Sequence, residues 1–311
     1  MKMFEVTSVN ISEKKGTIKR PVNSIQLTDI GIPGDAHSGP WHRQVSLLGV
    51  ESIEKFSDEA KREIKYGEFA ENITTRGMEL YKTAPLDKFV SGDIELMVTQ
   101  IGKKCHGDNC AIFREVGNCI MPKEGVFVKV LKGGELRPGR FFQYYPRILK
   151  IKIITLSDRA SHGVYEDKSG PLTEKITGEF LLSRNRHFEF DKLIIPDDAI
   201  LLQKSLEDAI AKHFDIIITT GGTGIGKRDI TPDVVKPMLQ KEITGIMELI
   251  RVKYGTKKPN ALISRAVAGT IDETLIYTLP GSRKAVNEYL TEILPTLEHS
   301  LYMMNGLDIH Q

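Results

Sequence analysis

At Tyr144-Tyr145-Pro146 the hydrophobic rhythm of this 311-residue chain changes, and the change predicts two domains of different class. Before it, apolar residues fall at every second position in short runs. Ile94, Leu96 and Val98 follow the turn Ser91-Gly92-Asp93, Val126, Val128 and Val130 precede Gly133-Gly134, and Met3–Ile11 alternates in part. Successive side chains of a strand point to opposite faces, so period two with glycine-rich turns predicts a mostly β, barrel-like or sandwich domain of antiparallel strands. One helix is expected within it, over about Val50–Lys65, where Val50, Ile53 and Phe56 fall three apart. After Pro146 the runs Lys150–Thr155, Leu193–Ile195, Ile216–Ile218 and Leu275–Leu279 read as strands. Helices alternate with them. Ser169-Gly170-Pro171 opens one, Leu202, Leu206 and Ile210 line one face of another, and a third starts at about Ser282. An unbroken apolar run such as Ile216–Ile218 fits a parallel strand covered on both faces. The second half is therefore expected to be a three-layer α/β domain with a largely parallel sheet. Domains of about 100–200 residues fit the length, with boundaries expected at 1–145 and 149–308.

Composition narrows the function classes. The chain is 40% hydrophobic and 27% charged with a formal net charge of +2, so neither nucleic acid nor an anionic membrane is expected as main partner. The opening Met1-Lys2-Met3-Phe4-Glu5-Val6-Thr7 has no apolar core of a secretory signal, and no apolar run approaches the ~20 residues of a membrane span. Three cysteines, all between Cys105 and Cys119, do not make a disulfide framework and point to a reducing cytoplasm.

Ligand sites in open α/β sheets lie beyond the C-terminal strand ends. That directs attention to Ser157-Asp158-Arg159, Pro196-Asp197-Asp198, Thr219 to Asp233, and Pro280-Gly281-Ser282. The strand at Ile216 runs into Thr219-Thr-Gly-Gly-Thr-Gly-Ile-Gly-Lys-Arg-Asp229-Ile-Thr-Pro-Asp233. Gly221, Gly222 and Gly224 allow backbone amides to approach an anion closely. Thr231 and Pro232 read as N-cap and first residue of a helix whose positive end faces the same crevice. Two better-known phosphate motifs nearly fit. Gly221 to Lys227 has P-loop spacing, but Arg228 stands where a hydroxyl should hold magnesium, and Lys227 stands where a dinucleotide fingerprint needs its third glycine.

The segment Thr-Thr-Gly-Gly-Thr-Gly followed by Arg-Asp-Ile-Thr-Pro-Asp resembles the molybdopterin-binding domain of the MogA/MoaB family, the molybdopterin adenylyltransferases. Leu156-Ser-Asp-Arg159, Gly163 to Pro171, Ile195-Pro-Asp197, Leu262-Ile-Ser-Arg265 with Ala268-Gly269, and Leu279-Pro-Gly281 agree in order, so the resemblance covers about 149–304. It implies attack of the terminal phosphate of molybdopterin on the α-phosphate of ATP with Mg2+, giving adenylylated molybdopterin and pyrophosphate. Asp197 and Asp229, each just past a strand end, are the expected catalytic carboxylates and Mg2+ ligands. Helix capping or a salt bridge is the alternative for each, and more so for Asp233. The glycine amides of Gly221, Gly222 and Gly224 would hold phosphate, and Thr223, Thr231 and Asp233 are further candidate cofactor-binding residues. Ser157, Ser264, Arg265, Pro280 and Gly281 would line the pterin or its phosphate.

The first half resembles the MOSC domain through Gly31-Ile-Pro-Gly-Asp35-Ala-His37-Ser-Gly39, Arg43-Gln-Val45, Gly67 to Ile73, Gly92-Asp93 and Val98-Thr-Gln100. The resemblance implies binding of the molybdenum cofactor or sulfur delivery, with Cys105 in the place of the proposed persulfide carrier. Asp35, His37 and Arg43 are further candidate site residues, and Asp35 and Arg43 would bind a cofactor phosphate or pair with each other. His37 and His42 otherwise read as surface histidines. Cys105, His106, Cys110 and Cys119 could instead hold a soft metal, although their spacing matches no common zinc ribbon. Together the halves point to a bifunctional protein working with other molybdenum cofactor biosynthesis proteins, as a homo-oligomer with a trimer favoured by family analogy. Molybdate insertion by the second half, or a non-catalytic cofactor carrier, are the alternatives.

Overall fold

The computed structural model describes residues 2–104 and 119–308. It divides into two units, Met1–Arg147 with Leu307–Gln311, and Ile148–Gly306.

The first unit is built on one eight-stranded sheet. Its strands are β1 (Met3–Ile11), β2 (Arg20–Val22), β4 (Val45–Gly49), β5 (Ile73–Arg76), β6 (Lys88–Ser91), β7 (Ile94–Ile101), β8 (Val126–Lys132) and β10 (Phe141–Tyr145). The order is β10-β6-β7-β8-β4-β5-β1-β2, and a further β10–β1 pairing closes it into a barrel. Among the described residues of this sheet only β4 and β5 pair in parallel. A separate ribbon joins β3 (Ile25–Leu27) to β9 (Gly134–Leu136). The period-two residues behave as their spacing requires: Ile94, Leu96, Val98, Val126, Val128 and Val130 are all buried in one core with Phe4, Val6, Phe89 and Phe142. Alternation in β1 is broken by a register shift between Val6 and Ser8, which puts both Ser8 and Val9 inside.

This unit carries a one-turn helix at Met121–Glu124, and the expected longer helix spans Val50–Ala60, burying Val50, Ile53 and Phe56 as their spacing requires. The longer helix stops five residues before the expected Lys65. Lys61 turns into the left-handed region at φ 52° and donates its amide back to Asp58 and Ser57, which ends the helix without a glycine.

The second unit is a three-layer α/β domain. Its six-stranded sheet has the order β12-β11-β13-β16-β15-β14, with β11 (Ile148–Leu156), β12 (His187–Ile195), β13 (Ile216–Thr220), β14 (Lys241–Glu242), β15 (Ala268–Ile271) and β16 (Thr274–Leu279). β12, β11, β13 and β16 run parallel, while β15 and β14 add an antiparallel edge. All five residues of β13 are buried, because each face of the sheet is covered. Ile216 and Ile218 point into a core with helices Ser169–Ser183, Thr244–Gly255 and Arg283–Met304. Ile217 points into the opposite core with helix Ala199–Ala211. That last helix buries Leu202, Leu206 and Ala209, and Ile210 is only half-buried. Successive fourth residues drift around a 3.6-residue turn, so Ala209 replaces Ile210 at the centre of the buried face. Among the described residues no helix is long and apolar enough to cross a membrane.

Candidate active site

Parallel strands deliver their C-terminal ends to one edge of the sheet, and β11, β12, β13 and β16 all end there. The loop after β13 turns sharply. Gly221 and Gly222 have φ of 103° and 63°, a region open to glycine. A Cβ on Gly221 would lie 2.3 Å from the Leu156 carbonyl oxygen, and one on Gly222 would lie 2.6 Å from Thr231 Oγ1. Among the described residues the amides of Gly222, Thr223 and Gly224 donate to no protein group. They are therefore available to an anion.

Neighbouring residues hold the loop in that shape. Thr231 is buried and its hydroxyl donates to the Gly221 carbonyl at 2.8 Å, while its amide donates to the Gly222 carbonyl at 3.0 Å. Thr231 is the first residue of the helix Thr231–Val235 and not its N-cap, because its hydroxyl serves the loop. Arg265 clamps from the other side. Its amide donates to Thr223 O at 2.9 Å, Nε to Gly224 O at 2.7 Å and Nη2 to Asp229 O at 2.5 Å, and Nη1 pairs with Asp233 at 2.7 Å. Arg265 and Asp233 thus brace the loop and pair with each other.

Two cavities flank the loop. A polar lobe of about 700 Å³ contains Ser157, Asp158, Asp167, Asp197 and Asp229 with Arg159, Lys168, Arg228 and Arg283. A more apolar lobe of about 370 Å³ contains Ile250, Tyr254, Asn260, Ile263, Ser264 and Tyr289, as well as Thr223, Gly224 and Pro280. Gly222, Asp229, Gly281 and Ser282 line both. Both volumes lie in the range of small-molecule sites.

Asp197 and Asp229 come together in the polar lobe. Asp197 Oδ2 accepts the Asp158 amide at 3.3 Å, and Asp158 Oδ1 accepts the Asp197 amide at 3.0 Å. Burial pushes the Asp197 carboxyl above its ordinary value, and the nearby charges of Asp158 and Asp229 add to the rise. Helix capping at this strand end falls to Asp198, whose side chain accepts the Leu201 amide at 2.9 Å. Asp229 Oδ2 accepts the Gly226 amide at 2.8 Å. Oδ1 of Asp197 and of Asp229 has no hydrogen-bond partner among the described residues, which suits a cation ligand. No group of three or more His, Cys, Asp or Glu among those residues is arranged to hold a metal by itself. Magnesium needs only one or two carboxylates when phosphate oxygens and water complete its shell, so the pair fits that ion in company with a nucleotide.

The remaining expected residues fall around the same loop. Ser157 caps the short helix Asp158–Ser161 by accepting the Ala160 amide at 3.2 Å. Ser264 Oγ accepts the Tyr289 hydroxyl at 2.8 Å. Gly281 packs against Gly221, where an added Cβ would lie 3.4 Å from its Cα. Asp158, Asp167 and Arg228 line the polar lobe, although the sequence reading gave them no role. Asp167 Oδ2 accepts the Thr155 hydroxyl at 2.8 Å, and its Oδ1 accepts the Ser169 and Gly170 amides at 2.9 and 3.0 Å. The Ser-Asp-Arg and Asp-Lys-Ser-Gly-Pro segments were visible, but not which of their side chains turn inward.

In the first unit the pairing of Asp35 with Arg43, one of the two alternatives, does not form. Asp35 is buried and pairs with Lys19 Nζ at 2.5 Å, while accepting the amides of Ser12 and His37 at 3.0 Å each. Hydrogen bonds to His37 and Lys19 outweigh its burial and hold the carboxyl below the usual carboxylate range. Arg43 instead stacks over Trp41 at 4.9 Å, and His37 stacks on the same ring at 6.3 Å. Lys19 was invisible in sequence because a lone lysine in a loop reads as solvated. His42 is buried and faces Gln100 at 3.0 Å, contrary to a surface reading. Cys105, His106 and Cys110 lie outside the described residues, and Cys119 is half-buried.

Fold and site together define the second unit as a three-layer α/β domain with a phosphate-ready glycine loop between two substrate-sized lobes. Residues 152–299 match the family described as "Probable molybdopterin binding domain", and residues 34–143 match the MOSC domain. A protein of Helicobacter pylori J99 named molybdopterin adenylyltransferase is 37% identical over 159 residues, 51% of this chain and 89% of the relative. Molybdenum cofactor biosynthesis protein B of Staphylococcus carnosus is 37% identical over 163 residues, 50% of this chain and 91% of the relative. The crystal structure of the tungsten cofactor synthesizing protein MoaB from Pyrococcus furiosus shares 35% identity over 51% of this chain and 97% of that one, at a TM-score of 0.45. The chain belongs to the MogA/MoaB-type molybdopterin-binding family through its second unit, here joined to a MOSC domain.

Proposed function

We propose that the second unit adenylylates molybdopterin with Mg-ATP. The observation that carries this reading is the pair of lobes sharing Gly222, Asp229, Gly281 and Ser282 as a common wall. The polar lobe takes the triphosphate and the apolar lobe takes the pterin. An oxygen of the terminal molybdopterin phosphate forms a bond to the α-phosphorus. The bond from that phosphorus to the bridging oxygen of the β-phosphate breaks, and pyrophosphate leaves. Such a transfer needs positioning and charge neutralisation more than covalent help.

Asp197 and Asp229 would hold magnesium, which when bound would neutralise phosphate charge. The amides of Gly222, Thr223 and Gly224 bind phosphate oxygens, and Arg159, Lys168 and Arg283 surround the leaving pyrophosphate. Ser264, held by Tyr289, lies in the pterin lobe. Asp233 and Arg265 keep the loop in shape. The name of the Helicobacter relative supports this activity.

To the first unit we assign molybdenum cofactor binding or sulfur handling, on its MOSC match and on the Lys19, Asp35 and His37 cluster. Other molybdenum cofactor biosynthesis proteins are its expected partners, and a cytoplasmic homo-oligomer, a trimer by family analogy, is the expected form. The test of the main reading is pyrophosphate release that requires ATP, magnesium and molybdopterin together. Release from none of these mixtures, with molybdopterin still bound, would favour a carrier; turnover only with molybdate and adenylylated molybdopterin would favour insertion.

A further inference from the structure

The polar lobe carries an ion pair that nucleotidyl transfer does not itself require. Of its four cations, Arg159 and Lys168 sit over the Tyr165 ring at 5.5 and 5.7 Å. Among the described residues only Arg228 holds one of the lobe's carboxylates: its Nη2 lies 2.5 Å from Asp158 Oδ1. The bond ties the glycine loop to the end of β11. The same Oδ1 accepts the Asp197 amide. Asp158, Asp197 and Asp229 therefore share one lobe, and Arg228 is the positive group held among them. Arg228 also occupies the position where a P-loop would offer magnesium a hydroxyl. Where that motif would offer a metal ligand, this loop offers a cation that competes with a metal for the carboxylates.

We propose that Arg228 is a resident counter-ion that keeps a bare divalent cation out of the lobe and yields only to a cation arriving with a triphosphate. Phosphate oxygens offer a guanidinium a planar, bidentate partner stronger than a single carboxylate oxygen. On arrival of the nucleotide, Arg228 exchanges Asp158 for phosphate, and the cation takes its place beside the carboxylates. Metal and nucleotide then enter as one species, and the lobe is not filled by free cation. The inference rests on the reading that Asp197 and Asp229 hold magnesium for ATP. Arg228 acts here as a positioning residue, since its effect on the metal runs through Asp158.

The test is binding of Mn2+ as a probe for magnesium, followed by its electron paramagnetic resonance signal, with and without ATP and without molybdopterin. Wild type, Arg228→Gln and Arg228→Lys are compared. The Arg228 side chain is 65% exposed, so the fold should tolerate both changes. Removing a positive charge from beside a divalent ion in a partly solvated site should tighten Mn2+ alone by a factor on the order of five to ten in Arg228→Gln. Arg228→Lys should stay near wild type. Adding ATP should improve Mn2+ binding more in wild type than in Arg228→Gln. Unchanged or weaker binding of Mn2+ alone in Arg228→Gln, with ATP enhancing it in all three proteins equally, overturns the counter-ion role and leaves the metal site standing. Absence of Mn2+ binding in wild type even with ATP overturns both.

Discussion

Asp229→Asn separates charge from shape at the centre of the site. Asp229 Oδ2 accepts the Gly226 amide at 2.8 Å, and a carboxamide oxygen can keep that bond. Its main-chain carbonyl, which accepts from Arg265, is untouched. The loop should therefore survive, and the change removes one negative charge facing the proposed metal and triphosphate. A metal clamp in phosphoryl transfer contributes several kcal/mol. Loss of about 3 kcal/mol lowers the rate on the order of a hundredfold, since each 1.36 kcal/mol is tenfold. Asp197→Asn should cost a comparable factor through the other carboxylate. The assay is pyrophosphate release from Mg-ATP and molybdopterin, beside direct molybdopterin binding. Binding should survive in both variants, because the proposed reading gives that ligand to the loop amides and the Ser264 lobe. Near-normal turnover in both would refute the assignment of these carboxylates to the metal.

Arg265→Ala removes two side-chain bonds to the glycine loop and the Asp233 pair; turnover should fall by at least tenfold, with faster amide hydrogen exchange across 221–229, and unchanged exchange would refute the clamp. The fragment 148–306 should fold alone, since each unit has its own core, and the check is a cooperative thermal transition by circular dichroism. In the first unit, burial pushes the Glu71 carboxyl up to about 7 from 4.5. The folded state thus binds the proton more tightly than the unfolded chain. The stability this provides is full below about pH 4.5 and is lost as pH rises through about 7, by about 3 kcal/mol. Urea unfolding from pH 4.5 to 8 should show that slope, and Glu71→Gln should flatten it. Cys105 should be alkylated before Cys110 and Cys119 if it carries sulfur as an accessible thiolate; equal slow modification of all three would refute that role.

Much of this was legible in the sequence because period and burial are tied by geometry. Ile94, Leu96 and Val98 could face one way only as a strand, and Ile216–Ile218 could be satisfied only with cover on both sides. The glycine loop was legible because no other residue fits its positive φ against Leu156 and Thr231. Partners across the fold were not. Lys19 and Asp35 are 16 residues apart, and Arg228 and Asp158 are 70 apart. Nothing local marks either pair. Thr231 illustrates a third limit: its type and position fit an N-cap, and only the tertiary path of the loop gave its hydroxyl a better acceptor. β12 extends back to His187 because Phe188 and Phe190 alternate with charged residues on an edge strand, a weaker signal than the Leu193–Ile195 run.

The pairing of β1 with β10 joins the start of the first unit to its last strand, Met3 opposite Gln143. A sheet closed in this way has a high contact order, and long loops must be ordered before their contacts repay the entropy. During synthesis the barrel cannot shut until Tyr145 has left the ribosome, so the Met3–Glu5 end of β1 waits without its β10 partner. The second unit has no such constraint across the junction, because β11 begins at Ile148 and finds its neighbours in β12 and β13, both downstream. The slow step in making this protein is accordingly expected in the first half of the chain, and N-terminal truncations that reach Phe4 should trap an open, aggregation-prone sheet while leaving the second unit able to fold.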